Sequence, residues 1–480
     1  MKVNFSDKTV GGFNFELTRG ISLQGAGAAE FGECMETMGR IHDNDFNSWV
    51  IEWAKTADFT AGYACRRLRR GDETGARNAF SRASNYYRMA CFYADHTDPR
   101  HKALWGKSKE CFNNMIGLSK PERPIERVSI DFEGAALPGY YISCGKADRP
   151  LLVAIGGFDS TMEEVYWWVG EAARDYGWNC LIFEGPGQWG ALLGNPGLIF
   201  RPDYEKPVAA AIDYMLLHGG FDTDKIAIIG YSMGGYLCMR GACDPRVKAC
   251  IPNTLVVDCG ASAKAGMKGM VKNEAFMNKV FGLLSKINAP ARWGFQHSSW
   301  VLGVTTPHDW VAVYEDFTLL GFEAHLKGKP ILFMFSEDDI MDAAAPSQSI
   351  VVNLLDYIHS LECPRYVRLF TKQEGASSHC QMGGLSYAQS SIFEWLEHAL
   401  CNKPIPVNGA SDAAGGVSGA AGGTSDAAGG VSGSAGGASG ATDYSSGAAE
   451  LFIHLFGKYG GALGAAKAQA LVDDGCITFI

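Results

Sequence analysis

The sequence lacks the features that mark membrane-spanning, secreted and zinc-binding or redox-active proteins. No stretch reaches the roughly 18 uncharged apolar residues of a membrane span. The opening residues, MKVNFSDKTVGGF, lack the apolar segment of a secretory signal peptide. The 14 cysteines are scattered singly, without the C-x-x-C pairs that hold zinc or carry out redox chemistry. We therefore expect free thiols in a reducing compartment, and so a cytosolic protein.

The sequence also lacks a surplus of basic residues. Its formal net charge of −10 gives no electrostatic reason to expect nucleic acid or an anionic membrane as a partner. No glycine-rich segment has dinucleotide-binding spacing before a helix, and no cluster of metal ligands appears, so we expect no cofactor and no metal. What the 480 residues do contain is a hydrophobic fraction of 47%, which is typical of a globular protein with a large core.

One stretch, KIAIIGYSMGGYLCMRG at residues 225–241, has the pattern of a nucleophile elbow. Its apolar β-branched run predicts a buried strand, and its G-x-S-x-G segment predicts a sharp turn. Residues 236–240 are predicted to form a helix after this turn. Glycine is required on both sides of the serine because the turn leaves no room for larger side chains. The pattern therefore predicts that Ser232 is a nucleophile raised above the end of a strand.

Four regions differ in composition and periodicity. Residues 1–125 have apolar residues at helical spacing, and residues 126–406 alternate strands with helices, which predicts an α/β fold with a mostly parallel central sheet. Residues 407–449 are almost wholly Gly, Ala, Ser and Asp with a near-repeat, which predicts a flexible linker. Residues 450–480 are apolar again, and the sequence leaves open whether they dock on the body, dock on a partner or are an extension without a role.

Three residues with complementary chemistry follow predicted strands in the order Ser, Asp, His. Asp339 follows the strand predicted at residues 330–335, and His379 follows the one at 366–370. Parallel strands end at one edge of a sheet, where an imidazole can take the proton of Ser232 and a carboxylate can orient the imidazole. The alternatives are Asp338 and Asp342 for the acid, and His297, His308 and His359 for the base.

Backbone amides beside the serine are the expected donors to an oxyanion. One is the amide of Met233, and the other belongs to the loop Gly156-Gly157-Phe158, with Phe158 as the best candidate. Asp159, next in this loop, is either a solvated turn residue or a second acid or base. Glu184, in EGPGQ, is interpreted as a residue that fixes a loop.

Several segments together resemble one family: DFNSWVIEWAKTAD, ARNAFSRASNYYRMACFYADHTDPR, IGGFDSTMEE, FEGPGQWG, GYSMGGYLCMR and EGASSHCQMGG. They are similar to the α/β-hydrolases with an N-terminal helical cap, a group that includes 2,6-dihydropseudooxynicotine hydrolase and the fungal polyketide-shortening hydrolases. The resemblance covers roughly residues 10–400. It leaves out the repeat and the final segment.

The resemblance implies an α/β-hydrolase fold, a cap formed by the N-terminal helices, and a triad of Ser232, His379 and Asp339. It implies a homodimer and a small aromatic or polyketide-like substrate in which a C–C bond beside a carbonyl is hydrolysed. It further implies that Asp159 assists this reaction, although the nicotine-pathway relative has the longer Glu there. Ester hydrolysis or transesterification is the alternative, followed by a non-hydrolytic binding protein or cyclase on the same fold.

Overall fold

A nine-stranded sheet forms the centre of the computed structural model, which describes residues 13–119, 124–267, 270–339, 348–404 and 444–480. The strands are β1 (Ile125–Phe132), β2 (Ala135–Ile142), β3 (Leu151–Ile155), β4 (Asn179–Phe183), β5 (Ile226–Tyr231), β6 (Val247–Asn253), β7 (Ile331–Ser336), β8 (Arg365–Phe370) and β9 (Thr478–Phe479). Their order in the sheet is β1-β2-β4-β3-β5-β6-β7-β8-β9. The pairs β1–β2 and β2–β4 are antiparallel, and every other neighbouring pair is parallel.

The three neighbouring strands β4, β3 and β5 are buried along their whole length. Their sequences are rich in apolar residues without alternation, because helices cover both faces of a parallel sheet. The predicted α/β architecture with a mostly parallel central sheet is therefore confirmed.

Among the described residues, five helices precede the sheet: α1 (Phe13–Ser22), α2 (Phe31–Met38), α3 (Phe46–Arg69), α4 (Glu73–Phe92) and α5 (Pro99–Gly117). The side chains of Asp45, Asp72 and Asp98 accept backbone N–H bonds at the starts of α3, α4 and α5, as expected of N-caps. The helical spacing of apolar residues in residues 1–125 predicts helices in this region, and the described residues 13–119 contain these five.

Several of the later helices pack directly on strands of the sheet. The later helices are α6 (Met162–Val165), α7 (Glu171–Asp175), α8 (Trp189–Gly194), α9 (Glu205–His218), α10 (Gly234–Gly241), α11 (Cys259–Gly266), α12 (Glu274–Ile287), α13 (Ala289–Leu302), α14 (Pro307–Tyr314), α15 (Gln348–Ser360), α16 (Leu385–Cys401) and α17 (Tyr444–Asp473). Residues Tyr166–Gly170 form a π-helical turn between α6 and α7.

The N-terminal helices share one hydrophobic core with a face of the sheet. On α5, the ring of Phe112 is buried 4.9 Å from the ring of Tyr140 on β2 and 5.2 Å from that of Tyr166. An interface of this kind fixes the helices relative to the strands, because buried aromatic side chains contribute most of their stabilisation through the apolar area they remove from water.

The C-terminal segment docks on the body, which settles the question that the sequence leaves open. Helix α17, broken at Gly461, packs against α15, and β9 adds a parallel strand beside β8. The buried ring of Phe456 lies 5.5 Å from that of Phe335 on β7. The segment therefore completes one edge of the sheet. Most of the linker predicted at residues 407–449 lies outside the described residues.

Within the described parts of the chain, no helix has the length and apolar character needed to cross a membrane.

Candidate active site

Ser232 lies where β5 turns into α10, with a backbone φ of 59°. Its N–H donates a 2.6 Å hydrogen bond to the carbonyl of Asn253 at the end of β6. Glycines allow this turn to form. A Cβ added to Gly230 would lie 1.8 Å from the carbonyl oxygen of Gly234, and one added to Gly235 would lie 1.8 Å from that of Thr254. The local geometry is that of a strand–turn–helix elbow, with the serine in a left-handed conformation that is uncommon outside glycine.

His379 pairs with Asp339 at the same edge of the sheet. Nδ1 of His379 lies 2.7 Å from Oδ1 of Asp339, a carboxylate that is 5% exposed. Burial by itself lowers the pKa of His379, but the carboxylate outweighs burial and raises the pKa well above its usual value. For Asp339, burial raises the pKa, yet the charge of His379 and the bonds from His379 and Thr254 lower it overall. The pair is thus arranged to stabilise an imidazolium.

Of the alternative acids, Asp338 pairs with residues other than His379. Asp338 accepts a 2.7 Å hydrogen bond from the hydroxyl of Ser377 and forms a 2.9 Å ion pair with Lys372. Asp342 lies outside the described residues. Within the described ranges, no hydrogen bond joins the Ser232 hydroxyl to the His379 ring. Both residues lie at the same edge of the sheet because Ser232 directly follows β5 and His379 follows β8.

Within the described parts of the chain, none of the alternative bases forms an ion pair with a carboxylate as His379 does. His297, on α13, points its Nε2 at the carbonyl of Phe158 at 2.9 Å. The backbone N–H of His308 donates to the Asn278 side chain. His359 lies beside Asp474 and Cys476, with the three potential ligand atoms within 4.8 Å of one another. This last group is the one set of possible metal ligands found among the described residues, and it lies at the C-terminal segment rather than at the Ser232 edge.

Two residues at the end of β6, which no sequence motif identifies, connect the three candidate triad residues. Asn253 accepts the N–H of Ser232 on its carbonyl and exchanges side-chain hydrogen bonds of 2.7 and 3.0 Å with Gln381 in the His379 loop. The hydroxyl of Thr254 donates to Oδ2 of Asp339. The segment IPNT at residues 251–254 contains a signal that could have identified them. It places two polar residues at the end of a predicted parallel strand, which must lie at the same edge of the sheet as Ser232.

The loop after β3 packs directly on the elbow. A Cβ added to Gly157 would lie 2.8 Å from the Cβ of Ser232 and 3.4 Å from the backbone nitrogen of Met233. The loop is held by the Ser160 hydroxyl, which accepts the N–H of Gly157, and by His297, whose ring nitrogen lies at the carbonyl of Phe158. The loop that carries Phe158 therefore meets the backbone of Met233 beside Ser232, where an oxyanion would form during attack on a carbonyl.

Asp159, next in this loop, is not a freely solvated turn residue. Its Oδ1 lies 3.2 Å from a guanidinium nitrogen of Arg19 on α1, and its side chain is 26% exposed. Burial alone would raise the pKa of Asp159, but Arg19, followed by His297 and His379, outweighs burial and lowers the pKa. Asp159 is therefore an ionised carboxylate at the border of the site.

Glu184 directly follows β4 and fixes the neighbouring loop, as its sequence context suggests. Its two carboxylate oxygens accept the N–H groups of Met162 at 3.0 Å and Gly190 at 2.7 Å. Burial, reinforced by the charge of Glu163, raises the pKa of Glu184 to about 8. Both oxygens are used within the protein, so this carboxylate has a structural role.

Aromatic side chains surround the loop that carries Phe158 and Asp159. On α13, the ring of Trp293 stacks on that of Phe92 at 4.8 Å and on that of His297 at 5.1 Å. The side chains of Trp167, Trp168 and Trp189 are almost fully buried. These three belong to the core, whereas Trp293 and Trp300 are partly exposed and pack against it.

Curated relatives of this chain are fungal hydrolases. Hydrolase acrC of Aspergillus aculeatus is 34% identical over 345 residues, which is 66% of this chain and 80% of the relative. The 20-hydroxy-prefusarin hydrolase FUS2 of Gibberella moniliformis is 30% identical over 82% of this chain and 97% of the relative. The chain belongs to this family of fungal α/β-hydrolases. The similarity to named hydrolases over most of their length confirms the prediction of a hydrolytic enzyme.

The fold of this hydrolase also matches a solved structure of the group that the sequence motifs resemble. The crystal structure of 2,6-dihydroxy-pseudo-oxynicotine hydrolase superimposes with a TM-score of 0.61 over 80% of this chain and 96% of its own, at 18% identity. This similarity confirms the predicted α/β-hydrolase fold, and it concerns the fold alone. A comparison with family models finds no match.

Proposed function

We propose that this hydrolase cleaves a C–C bond beside a carbonyl in an aromatic ketone or polyketide-like substrate, through an acyl-enzyme on Ser232. In this proposal His379 is the general base, Asp339 orients it, and the amides of Phe158 and Met233 bind the oxyanion. The observation that carries the proposal is the meeting of three features at one edge of the sheet: the positive-φ serine, the 2.7 Å His379–Asp339 pair, and the loop of Phe158 packed on the serine.

The reaction follows from these positions. Oγ of Ser232 attacks the ketone carbon while its proton passes to Nε2 of His379, and the carbonyl oxygen becomes an oxyanion bound by two amides. Collapse of this intermediate breaks the C–C bond, and the leaving carbon takes the proton from His379. Water, deprotonated by His379, then attacks the acyl-enzyme and releases a carboxylic acid, and Ser232 regains its proton.

Asp159 supplies a negative charge beside this reaction. A C–C bond breaks only when the leaving carbanion is stabilised, for example as an enolate or phenolate. An ionised Asp159 can accept a hydrogen bond from a substrate hydroxyl or enol and orient the fragment that leaves. The lowered pKa of Asp159 favours this acceptor role over that of a proton donor.

The substrate class rests on the relatives. The name of FUS2 states that it acts on 20-hydroxy-prefusarin. We extend this to a polyketide-like substrate here, with the partly exposed Trp293 and Trp300 as contacts for a flat ligand. A cytosolic location is supported by the free thiols of the described cysteines, and a homodimer by the resemblance of the sequence motifs.

Ester hydrolysis or transesterification is the second candidate, since the same triad geometry serves it. Two experiments separate C–C bond hydrolysis from ester hydrolysis. In the first, the wild-type protein and Ser232→Ala are each treated with a fluorophosphonate and examined by mass spectrometry. In the second, both are assayed with an aryl 1,3-diketone and a matched aryl ester. We expect labelling that Ser232→Ala abolishes, together with diketone cleavage. Labelling with cleavage of the ester alone would support the second candidate. An unlabelled wild-type protein would overturn the triad and favour a binding protein or cyclase.

A further inference from the structure

Helix α1 reaches the active site through two side chains one helical turn apart. The ring of Phe15 lies 6.2 Å from that of His379, and the guanidinium of Arg19 contacts Asp159. Residues four apart lie on the same face of a helix, so one face of α1 covers both the base and the carboxylate of the site. The side chain of Arg19 is 3% exposed, which is unusual for a charged residue and requires that its charge be paired.

We propose that Arg19 is a positioning residue for the reaction: it holds Asp159 as an oriented carboxylate that accepts a hydrogen bond from a hydroxyl or enol of the substrate beside the reacting carbonyl. This inference rests on the proposed C–C bond hydrolysis. It assigns to the N-terminal helix a part in the chemistry, and it defines a substrate class, since a matching substrate carries an O–H donor next to the bond that breaks.

Arg19 is itself held rigidly. Its Nε and Nη2 donate to the two oxygens of Glu164 at 2.8 and 2.7 Å, in a bidentate pair that fixes the guanidinium plane. Nη1 then donates to Glu16 at 3.1 Å and to Asp159 at 3.2 Å. Glu164 is fully buried on α6, the helix that directly follows the loop of Phe158 and Asp159. The guanidinium of Arg19 therefore links α1 to the segment from Asp159 to Glu164 at both of its ends.

Arg88 on α4 belongs to the same cluster, but its ion pairs are with the other two carboxylates. It pairs with Glu16 at 3.1 Å and with Glu164 at 3.4 Å. The two arginines thus share two carboxylates, and Arg19 alone of the two extends to Asp159. This division provides a matched control, because a change at Arg88 disturbs the buried cluster without removing the partner of Asp159.

The position of Asp159 is that of a group directed at substrate. Glu164 is fully buried and Glu16 is 3% exposed, whereas the Asp159 side chain is 26% exposed. One oxygen of Asp159 faces Arg19, which leaves the carboxylate able to accept a further hydrogen bond. An ionised group at this place also disfavours substrates that carry their own carboxylate beside the carbonyl, because two like charges would be forced together in a partly buried site.

The test compares two substrates in four single variants, Arg19→Met, Arg19→Lys, Asp159→Asn and Arg88→Met, and in the double variant that combines Arg19→Met with Asp159→Asn. The substrates are an aryl 1,3-diketone, whose enol supplies the O–H, and a phenyl ester that has no hydroxyl. We expect Arg19→Met to lower kcat for the diketone by roughly 10–100-fold, a loss typical of a misplaced group, and to change ester hydrolysis by less than about threefold. Arg19→Lys should recover part of the diketone activity.

Two results carry the decision. In an Asp159→Asn background, Arg19→Met should have little further effect on the diketone, because the two side chains act through one interaction. Arg88→Met should lower the unfolding midpoint while keeping the diketone-to-ester ratio. If Arg19→Met lowers both activities equally, or acts undiminished in the Asp159→Asn background, Arg19 is only structural and the inference is overturned. A wild-type protein that cleaves no diketone would instead refute the proposed C–C hydrolysis.

Discussion

The Thr254 hydroxyl donates a 2.5 Å hydrogen bond to Oδ2 of Asp339, the carboxylate oxygen opposite to the one that faces His379. Both oxygens of this buried carboxylate are therefore occupied, and its plane is fixed from two sides. Thr254 directly follows β6, so the strand next to the nucleophile strand orients the acid that in turn orients the proposed base.

Replacing Thr254 by Val keeps the shape of the side chain but leaves Oδ2 of Asp339 without its donor. An unpaired buried acceptor costs about 1–3 kcal/mol, so we expect kcat to fall roughly tenfold or more. Thr254→Ser retains the hydroxyl and should stay near the wild-type rate. Both variants are compared with the wild type by steady-state kinetics. The substrate is the diketone or the ester, whichever the wild type cleaves. Equal losses in the two would mean that packing, and not the hydrogen bond, matters at this position.

Asp339→Asn should change the pH dependence as well as the rate. His379 acts as a base only when neutral, and Asp339 raises its pKa, so kcat/KM of the wild type should rise with pH through a pKa above the usual histidine value. The uncharged amide of Asp339→Asn removes the charge that raises this pKa. The acidic limb of the kcat/KM–pH profile should therefore move to lower pH, while the maximal rate falls by about 10⁴-fold.

The control for this experiment is Asp338→Asn. Asp338 pairs with Lys372 and Ser377 rather than with the imidazole, so the acidic limb of this variant should stay where it is in the wild type. A shift in Asp338→Asn and none in Asp339→Asn would reverse the assignment of the acid.

Gly235→Ala should disrupt the elbow. The added Cβ would lie 1.8 Å from the backbone oxygen of Thr254, which cannot move without displacing the end of β6. We expect a loss of about 1–3 kcal/mol or more in the free energy of unfolding, together with loss of fluorophosphonate labelling. Gly282→Ala on α12, where nothing lies within 4 Å of the added atom, should instead gain up to about 1 kcal/mol. Urea unfolding of the two variants provides the comparison.

Phe456→Ala tests whether the C-terminal segment stabilises the body. The ring is fully buried, 4.5 Å from Phe452 and 5.5 Å from Phe335, so its removal should cost about 3–5 kcal/mol of unfolding free energy. Phe59→Ala removes a ring that is 69% exposed and should change stability by no more than about 0.5 kcal/mol. If both variants unfold like the wild type, the docking of α17 contributes nothing to stability.

The local part of the site can be predicted from sequence because short-range geometry decides it. The elbow around Ser232 is specified by glycines within three residues, and the alternation of strands and helices places Asp339 and His379 at the same edge. The packing of distant segments decides the rest. Arg19 and Asp159 are 140 residues apart, and an arginine in an amphipathic helix has the same pattern as a solvated surface residue. Only the fold shows that it is buried.

The attachment of β9 to β8 also determines which surface of the sheet other chains can reach. The pairing of β9 covers one edge of β8 at Tyr366 and Val367, and Phe456 covers apolar surface around Phe335. An uncovered strand edge beside exposed apolar surface is the state in which sheet proteins associate wrongly. A variant of this hydrolase in which β9 and α17 do not dock should therefore form aggregates under conditions in which the wild type does not.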